Sequence, residues 1–233
     1  MKENKKILFI GLKKDKISNK MIFYLKQNFS SVSISHSSKQ FNTKYKNKKF
    51  DLVINYRSKI ILKKNFLDNN YKKVINFHPS SQEYRGIGCV NYAFIKKSKI
   101  YGAVCHLIDE KIDHGEIIDA RYFDINQKDN LSSVLKKSYL CCLQMFYILV
   151  QRYIKNSMYI EYMINLNRNV KWGRKLYTKK KMLKLYNISR KNLIKLKKDE
   201  FNHLYLATSF SKHKLILNIF GQKFKLIKID EKK

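Results

Sequence analysis

Four polar side chains stand out in a largely apolar framework: Asn76 and His78 in NFHPS, then His106 and Asp113 in CHLIDEKIDHG. Asn76 and His78 lie two apart at the end of an extended segment, so their side chains leave one face. Pro79, the only proline of the 233 residues, pushes its predecessor toward extended backbone and so restricts His78. His106 falls on a strand, and Asp113 follows seven residues later in a turn ending at Gly115. Amide and imidazole groups can donate hydrogen bonds to developing charge, and imidazole and carboxylate groups can exchange protons. Singly, each has an ordinary explanation: turn capping for Asn76 and His78, a satisfied core histidine for His106, turn chemistry for Asp113. Together they describe a candidate site.

The surrounding pattern indicates what must position them. KKILFIGL ends at Gly11 and has the form of a buried first strand, and apolar residues from Ile17 to Leu25 recur at helical spacing. Strands are expected at residues 31–35, 51–56 and 73–77, with a short helix over 63–70. Strands alternating with helices imply a parallel, doubly wound sheet, which takes ligands at the carboxyl ends of its strands. Asn76 and His78 stand at such an end. No GxGxxG follows the first strand, so a dinucleotide-binding fingerprint is absent. Beyond a helix over 88–96, strands are expected at 101–107 and 116–123, joined by the turn 109–115. Asp129 or Asn130 can cap a long helix reaching about Lys155, whose stripe from Leu131 to Tyr153 is core. From Met158 the pattern becomes basic. A helix is expected near 179–186, a strand over 203–209 and a terminal hairpin within 214–229. This divides the chain into a catalytic domain over 1–157 and a small C-terminal appendage over 158–233.

The apolar fraction of 44%, with 16 Tyr and 14 Phe, supports a packed core. No uninterrupted apolar run approaches a membrane span, and the N-terminus carries no cleavage-site pattern, so a cytoplasmic protein without a membrane span is expected. Cys89, Cys105, Cys141 and Cys142 show no paired spacing for a zinc site or disulfide framework, and no metal is expected. The net charge of +33 ordinarily points to nucleic acid or an anionic surface. Yet only seven of the 50 basic residues are Arg and the lysines are scattered, which AT-rich coding would produce without any polyanionic partner.

NFHPS, then YRG, then YGAVCHLIDEKIDHGEII resembles the folate-dependent formyltransferase family, firmly over residues 51–125 and by pattern over the first 50. The subgroup it most resembles is the bacterial amino-sugar N-formyltransferases. The resemblance implies a Rossmann-like, mostly parallel sheet with flanking helices, and a catalytic trio of Asn76, His78 and Asp113 supported by His106. It implies N10-formyltetrahydrofolate as the formyl donor. An amine attacks the formyl carbon, Asn76 and a protonated His78 donate to the resulting oxyanion, and Asp113 relays the proton from amine to N10. Family members hold the pterin through backbone groups, which places it against Lys59, Ile60, Leu62, Leu107, Ile108, Asp109 and Glu110. Tyr84, Arg85 and Gly86 are weaker substrate-binding candidates. The chain departs from many members in having Ser81-Gln82-Glu83 where they have a Leu-Leu-Pro segment, one residue longer, and in having His114 where a small residue is commoner.

The acceptor is less constrained. A nucleotide-linked amino sugar fits the C-terminal stretch best, since methionyl-tRNA formyltransferases carry a larger β-barrel there and glycinamide ribonucleotide formyltransferases stop sooner. Arg85, Lys171, Arg174 and Lys175 could meet a diphosphate, or be ordinary solvated charge. Methionyl-tRNA formylation stays open as an alternative, as do formyltetrahydrofolate hydrolysis and a non-catalytic family member. The long helix and terminal hairpin could form a homodimer face.

Overall fold

The computed structural model describes residues 1–209 and 214–227. The chain opens with β1 (Glu3–Gly11), α1 (Lys16–Asn28), β2 (Phe29–Ser35), α2 (Ser38–Lys44), β3 (Leu52–Tyr56), α3 (Lys64–Asn69) and β4 (Val74–His78). Then come β5 (Arg85–Gly86), α4 (Cys89–Ile95), β6 (Ile100–Leu107), β7 (Ile117–Asp124) and the long α5 (Leu131–Lys155). The C-terminal part holds α6 (Tyr159–Leu166), β8 (Leu176–Tyr177), α7 (Lys179–Leu185), β9 (Asn187–Ser189), α8 (Arg190–Leu193), α9 (Lys198–Thr208), β10 (Ile216–Ile219) and β11 (Gln222–Lys225).

Six strands form the central sheet in the order β2-β1-β3-β4-β6-β7. The pairs from β2 to β4 are parallel, whereas β4–β6 and β6–β7 are antiparallel. The expected mostly parallel α/β sheet is therefore observed, with an antiparallel side that carries His106. In β1, Ile7, Leu8, Phe9 and Ile10 are fully buried because both faces of the sheet are covered. Ile7 and Phe9 join the larger core with Ile54, Phe77, Cys105, Met21 and Leu25 of α1, and the α5 stripe. Leu8 and Ile10 turn the other way, packing with Val53, Val74, Phe41 of α2 and Phe66 of α3.

Local chemistry sets the helix starts. Asp15 caps α1 by accepting from the Ser18 amide, and Asn130 caps α5 through a reciprocal pair with Ser133. By length and composition α5 could cross a bilayer, but Val134, Cys142, Phe146 and Val150 are fully buried against the sheet, as in a core helix.

Several elements differ from the sequence expectation. Residues 203–209, read as a strand, lie mainly in α9, where Phe201, Leu204 and Thr208 recur at helical spacing and Asp199 and Glu200 occupy the first turn. Their apparent alternation was too short to separate the two periods. Helix α2 falls in what reads as a basic loop, and α6 in the stretch read only as basic. The hairpin β10–β11 gains a third strand, β9, parallel to β10. Positions 228 and 229, assigned to the hairpin, lie outside the described residues.

The stretch beyond 157 is closely joined to the sheet. Ile160 belongs to the larger core, Asn167 donates to the Ile118 carbonyl at 2.8 Å, and β8 pairs with β5. Buried Asn91 of α4 bridges to the C-terminal elements, its Nδ2 donating to the Ala207 carbonyl (2.6 Å) and the Tyr186 hydroxyl (3.0 Å). Asn91→Ala leaves the Ala207 carbonyl short of this donor, at an expected cost of about 1–3 kcal/mol. Chemical denaturation measures it, and an unchanged midpoint would show that α4 docks without this bridge.

Candidate active site

The apolar face of β1, β3 and β4 becomes polar toward the strand ends. Register places Asn55 of β3 beside Asn76 of β4, and Asn76 beside His106 of β6, in one row across three strands. Asn55 Nδ2 donates to Asn76 Oδ1 at 3.2 Å, and Asn76 Nδ2 lies 3.0 Å from His106 Nε2. The His106 Nδ1–H donates to the Leu107 carbonyl at 2.6 Å. A bulge at Cys105/His106 in the pairing with β7 accompanies this placement.

His78 ends β4 and is 7% exposed. Its Nε2–H donates to the Tyr84 carbonyl at 2.9 Å, and its Nδ1 faces Asp113 Oδ2 at 3.6 Å. Asp113 arrives on the loop between β6 and β7, with its backbone in the left-handed region at φ 44°. Its Oδ2 accepts the Gly86 amide at 2.8 Å, and its Oδ1 lies 3.6 Å from His106 Nε2. Arg85 holds the same loop, Nε donating to the Asp113 carbonyl (2.6 Å) and Nη2 to that of Ile112 (2.9 Å). A Cβ on Gly115 would stand 2.1 Å from the Leu107 carbonyl, so this approach of loop to strand requires glycine. Trp172 covers both histidines edge-on, with ring centroids 6.1 Å from His78 and 4.9 Å from His106, while its Nε1–H donates to the Gly115 carbonyl at 2.8 Å.

All four residues singled out in the sequence thus converge. Of the substrate-binding candidates, Gly86 is at the site through its amide. Tyr84 is fully buried in the core beneath, its hydroxyl 2.5 Å from Ser98 Oγ, and only its carbonyl reaches His78. Arg85 spends two of its five N–H donors on the Asp113 loop. Leu107, Ile108, Asp109 and Glu110 line a groove of about 540 Å³ with Leu67, Val74, Tyr71 and His114. Ile60 and Leu62 pack beside it on the Val53–Val74 core, and Lys59 is exposed. A smaller cavity of about 300 Å³ opens at His78, walled by Gly86, Gly88, Cys89, Tyr101 and Met182. The sequence reading assigned no site role to Asn55 or Trp172. The signal for Asn55 was a polar side chain inside the apolar run DLVINY; nothing local connects Trp172 to residues so far away in the chain.

Burial disfavours the charged forms of both His78 and Asp113, but their mutual attraction wins. His78 is pushed up to about 9: burial pulls it down, and the Asp113 carboxylate, Cys89 and the Tyr84 carbonyl outweigh that pull. Asp113 is held well below the usual carboxylate range despite burial, first by the charged His78 and also by the Gly86 amide. His78 therefore adds stability that is complete below its unfolded value near 6.5 and is lost as pH rises to about 9. Asp113 adds stability that is present above 3.8 and is lost as pH falls toward its lowered value. An NMR titration of His78 is expected to show a midpoint near 9. In Asp113→Asn the midpoint should fall well below this, since burial then acts with less opposition. A midpoint that stays high without the carboxylate would show that the pair does not charge His78.

The chain matches the formyl transferase family over residues 5–139. Among curated relatives, the bifunctional polymyxin resistance protein ArnA of Wigglesworthia glossinidia brevipalpis is 28% identical over 145 residues, 61% of this chain and 21% of that protein. The chain spans well under half the length of the curated relatives it matches, from 21% to 32%. A 4-N formyltransferase from Francisella tularensis superposes with a TM-score of 0.69 at 18% identity, covering 96% of this chain and 99% of the other. An N-formyltransferase from Helicobacter canadensis, solved with folinic acid and dTDP-3-aminofucose, gives 0.67 at 19% identity over 94% of this chain and 85% of the other. The family match covers more than half of the chain, and these likenesses share its fold: the protein belongs to the formyl transferase family.

Proposed function

We propose that the protein transfers a formyl group from N10-formyltetrahydrofolate to a primary amine, the amino group of a nucleotide-linked amino sugar. The observation that carries this is the convergence of Asn76, His78 and Asp113 on one polar patch at the end of β4. The groove along Leu107–Glu110 suits a flat heterocycle, with Leu67, Val74 and Leu107 as apolar walls and Asp109 as a polar edge. Support for a sugar acceptor comes from the Helicobacter canadensis neighbour, whose structure holds dTDP-3-aminofucose. The reaction is placed in the cytoplasm, where the cysteines stay reduced.

As the amine adds to the formyl carbon, charge develops on the formyl oxygen. Asn76 has spent one N–H on His106 and keeps a second for that oxygen. His78 has spent Nε2–H on Tyr84, and its Nδ1–H, 3.6 Å from the carboxylate, remains available as a charged donor. Asp113, kept ionised, takes the proton from the amine as it adds and passes it to the leaving nitrogen as the bond from the formyl carbon to that nitrogen breaks.

Purified protein with N10-formyltetrahydrofolate is expected to release tetrahydrofolate only when an amino sugar on dTDP or UDP is present, with the product heavier by one formyl group. Formate release without acceptor would reassign the protein as a hydrolase, and silence with every acceptor, charged initiator tRNA included, would refute the transferase reading. Asn76→Ala and His78→Ala should each lower kcat about 10²–10³-fold, and Asp113→Asn comparably, with the fold retained by circular dichroism.

A further inference from the structure

Asn55 has no part in the steps above, yet its side chain ends the row that runs through the site. Hydrogen-bond bookkeeping shows what it does. The Leu107 carbonyl can only accept, so the Nδ1 of His106, 2.6 Å away, carries the proton. The other nitrogen, Nε2, faces Asn76 Nδ2 at 3.0 Å and Asp113 Oδ1 at 3.6 Å; in the neutral ring it offers a lone pair, and the nearer Asn76 Nδ2 is its donor. That turns Asn76 Oδ1 toward β3, where Asn55 Nδ2 donates to it at 3.2 Å. The second N–H of Asn76 is left over, with no hydrogen-bond partner among the described residues.

The orientation of Asn55 itself is informative. Its Oδ1 is buried without a partner. A buried acceptor left unmade is unfavourable, so the amide gains from this orientation through the bond its Nδ2 makes to Asn76. We propose that Asn55 is a positioning residue, which fixes the end of the Asn76 amide that faces the reacting oxygen. An Asn76 turned over would present its own oxygen to the developing negative charge, replacing attraction with repulsion. This inference rests on the reading of Asn76 as a donor to that oxygen. His106 holds one end of the amide from β6 and Asn55 the other from β3, so the strand register itself orients the donor.

Two substitutions separate positioning from support. Asn55→Asp keeps the shape but can only accept, so it should draw the NH2 of Asn76 toward itself and turn Oδ1 to His106, whose Nε2 must then carry a proton. Asn55→Leu removes both donor and acceptor without adding charge. In 15N NMR of the substrate-free protein, His106 Nε2 is expected to change from an unprotonated to a protonated shift in Asn55→Asp. In Asn55→Leu the side-chain amide signals of Asn76 should broaden as it exchanges between orientations. With the acceptor that supports turnover, kcat should fall about tenfold to a hundredfold in Asn55→Asp and less in Asn55→Leu, with KM for the formyl donor within about twofold. In an Asn76→Ala background neither substitution should lower kcat further. Unchanged His106 and Asn76 signals in both variants, or losses that simply multiply with Asn76→Ala, would overturn the proposal. If no acceptor supports turnover, the transferase reading fails, and the ring-nitrogen and amide signals still decide what Asn55 does.

Discussion

A buried carboxylate must be paired, and that requirement holds the site together. Asp113 has only 11% of its side chain exposed and stands between His78 and His106, with the Gly86 amide as its one close donor among the described residues. Removing water from such a pair costs both ions, and the cost is recovered only where geometry is kept tight. The surroundings supply that geometry. Arg85 grips the loop carbonyls, Gly115 lets the loop lie against β6, and Trp172 closes the top. Loss of either charged partner would leave the other buried and unmatched, so the pair proposed for catalysis is also a structural one.

The sheet contributes a second constraint, a parity. Side chains alternate between faces, so the residues that fill the α1–α5 core exclude their immediate neighbours from it. Phe77 is locked into that core, which sends Asn76 and His78 to the opposite face together. The same parity aligns Asn55 and His106 with Asn76 through the pairing of three strands. A one-residue slip in β4 would exchange Phe77 for the polar pair, so burial of one aromatic ring protects the register of the site.

The C-terminal part has a role in the site as well as in packing. Its β8 pairs with the Arg85–Gly86 strand, Trp172 roofs the two histidines, and α9 and Tyr186 meet α4 through Asn91. The strand that delivers the Gly86 amide to Asp113 is therefore braced from beyond residue 157. Substitutions in that region can reach the site through Gly86 and Trp172 without lying in it.

By itself the sequence determined the alternation of strands and helices, the α5 stripe, and the pairing of Asn76 with His78, because those depend on neighbours a few residues apart. The HPS and YRG motifs made a formyltransferase resemblance legible and with it the candidate trio. Tertiary structure alone decided how those residues are used. Tyr84 and Arg85 sit in one motif, yet the first is buried core and the second a clamp on a loop 27 residues further on. Residues 203–209 carried both a strand and a helix pattern, and packing against α4 selected the helix. Asn55 and Trp172 gain their meaning from partners 21 and 57 residues away. Periodicity records which face a residue takes, but strand order and register decide what waits there.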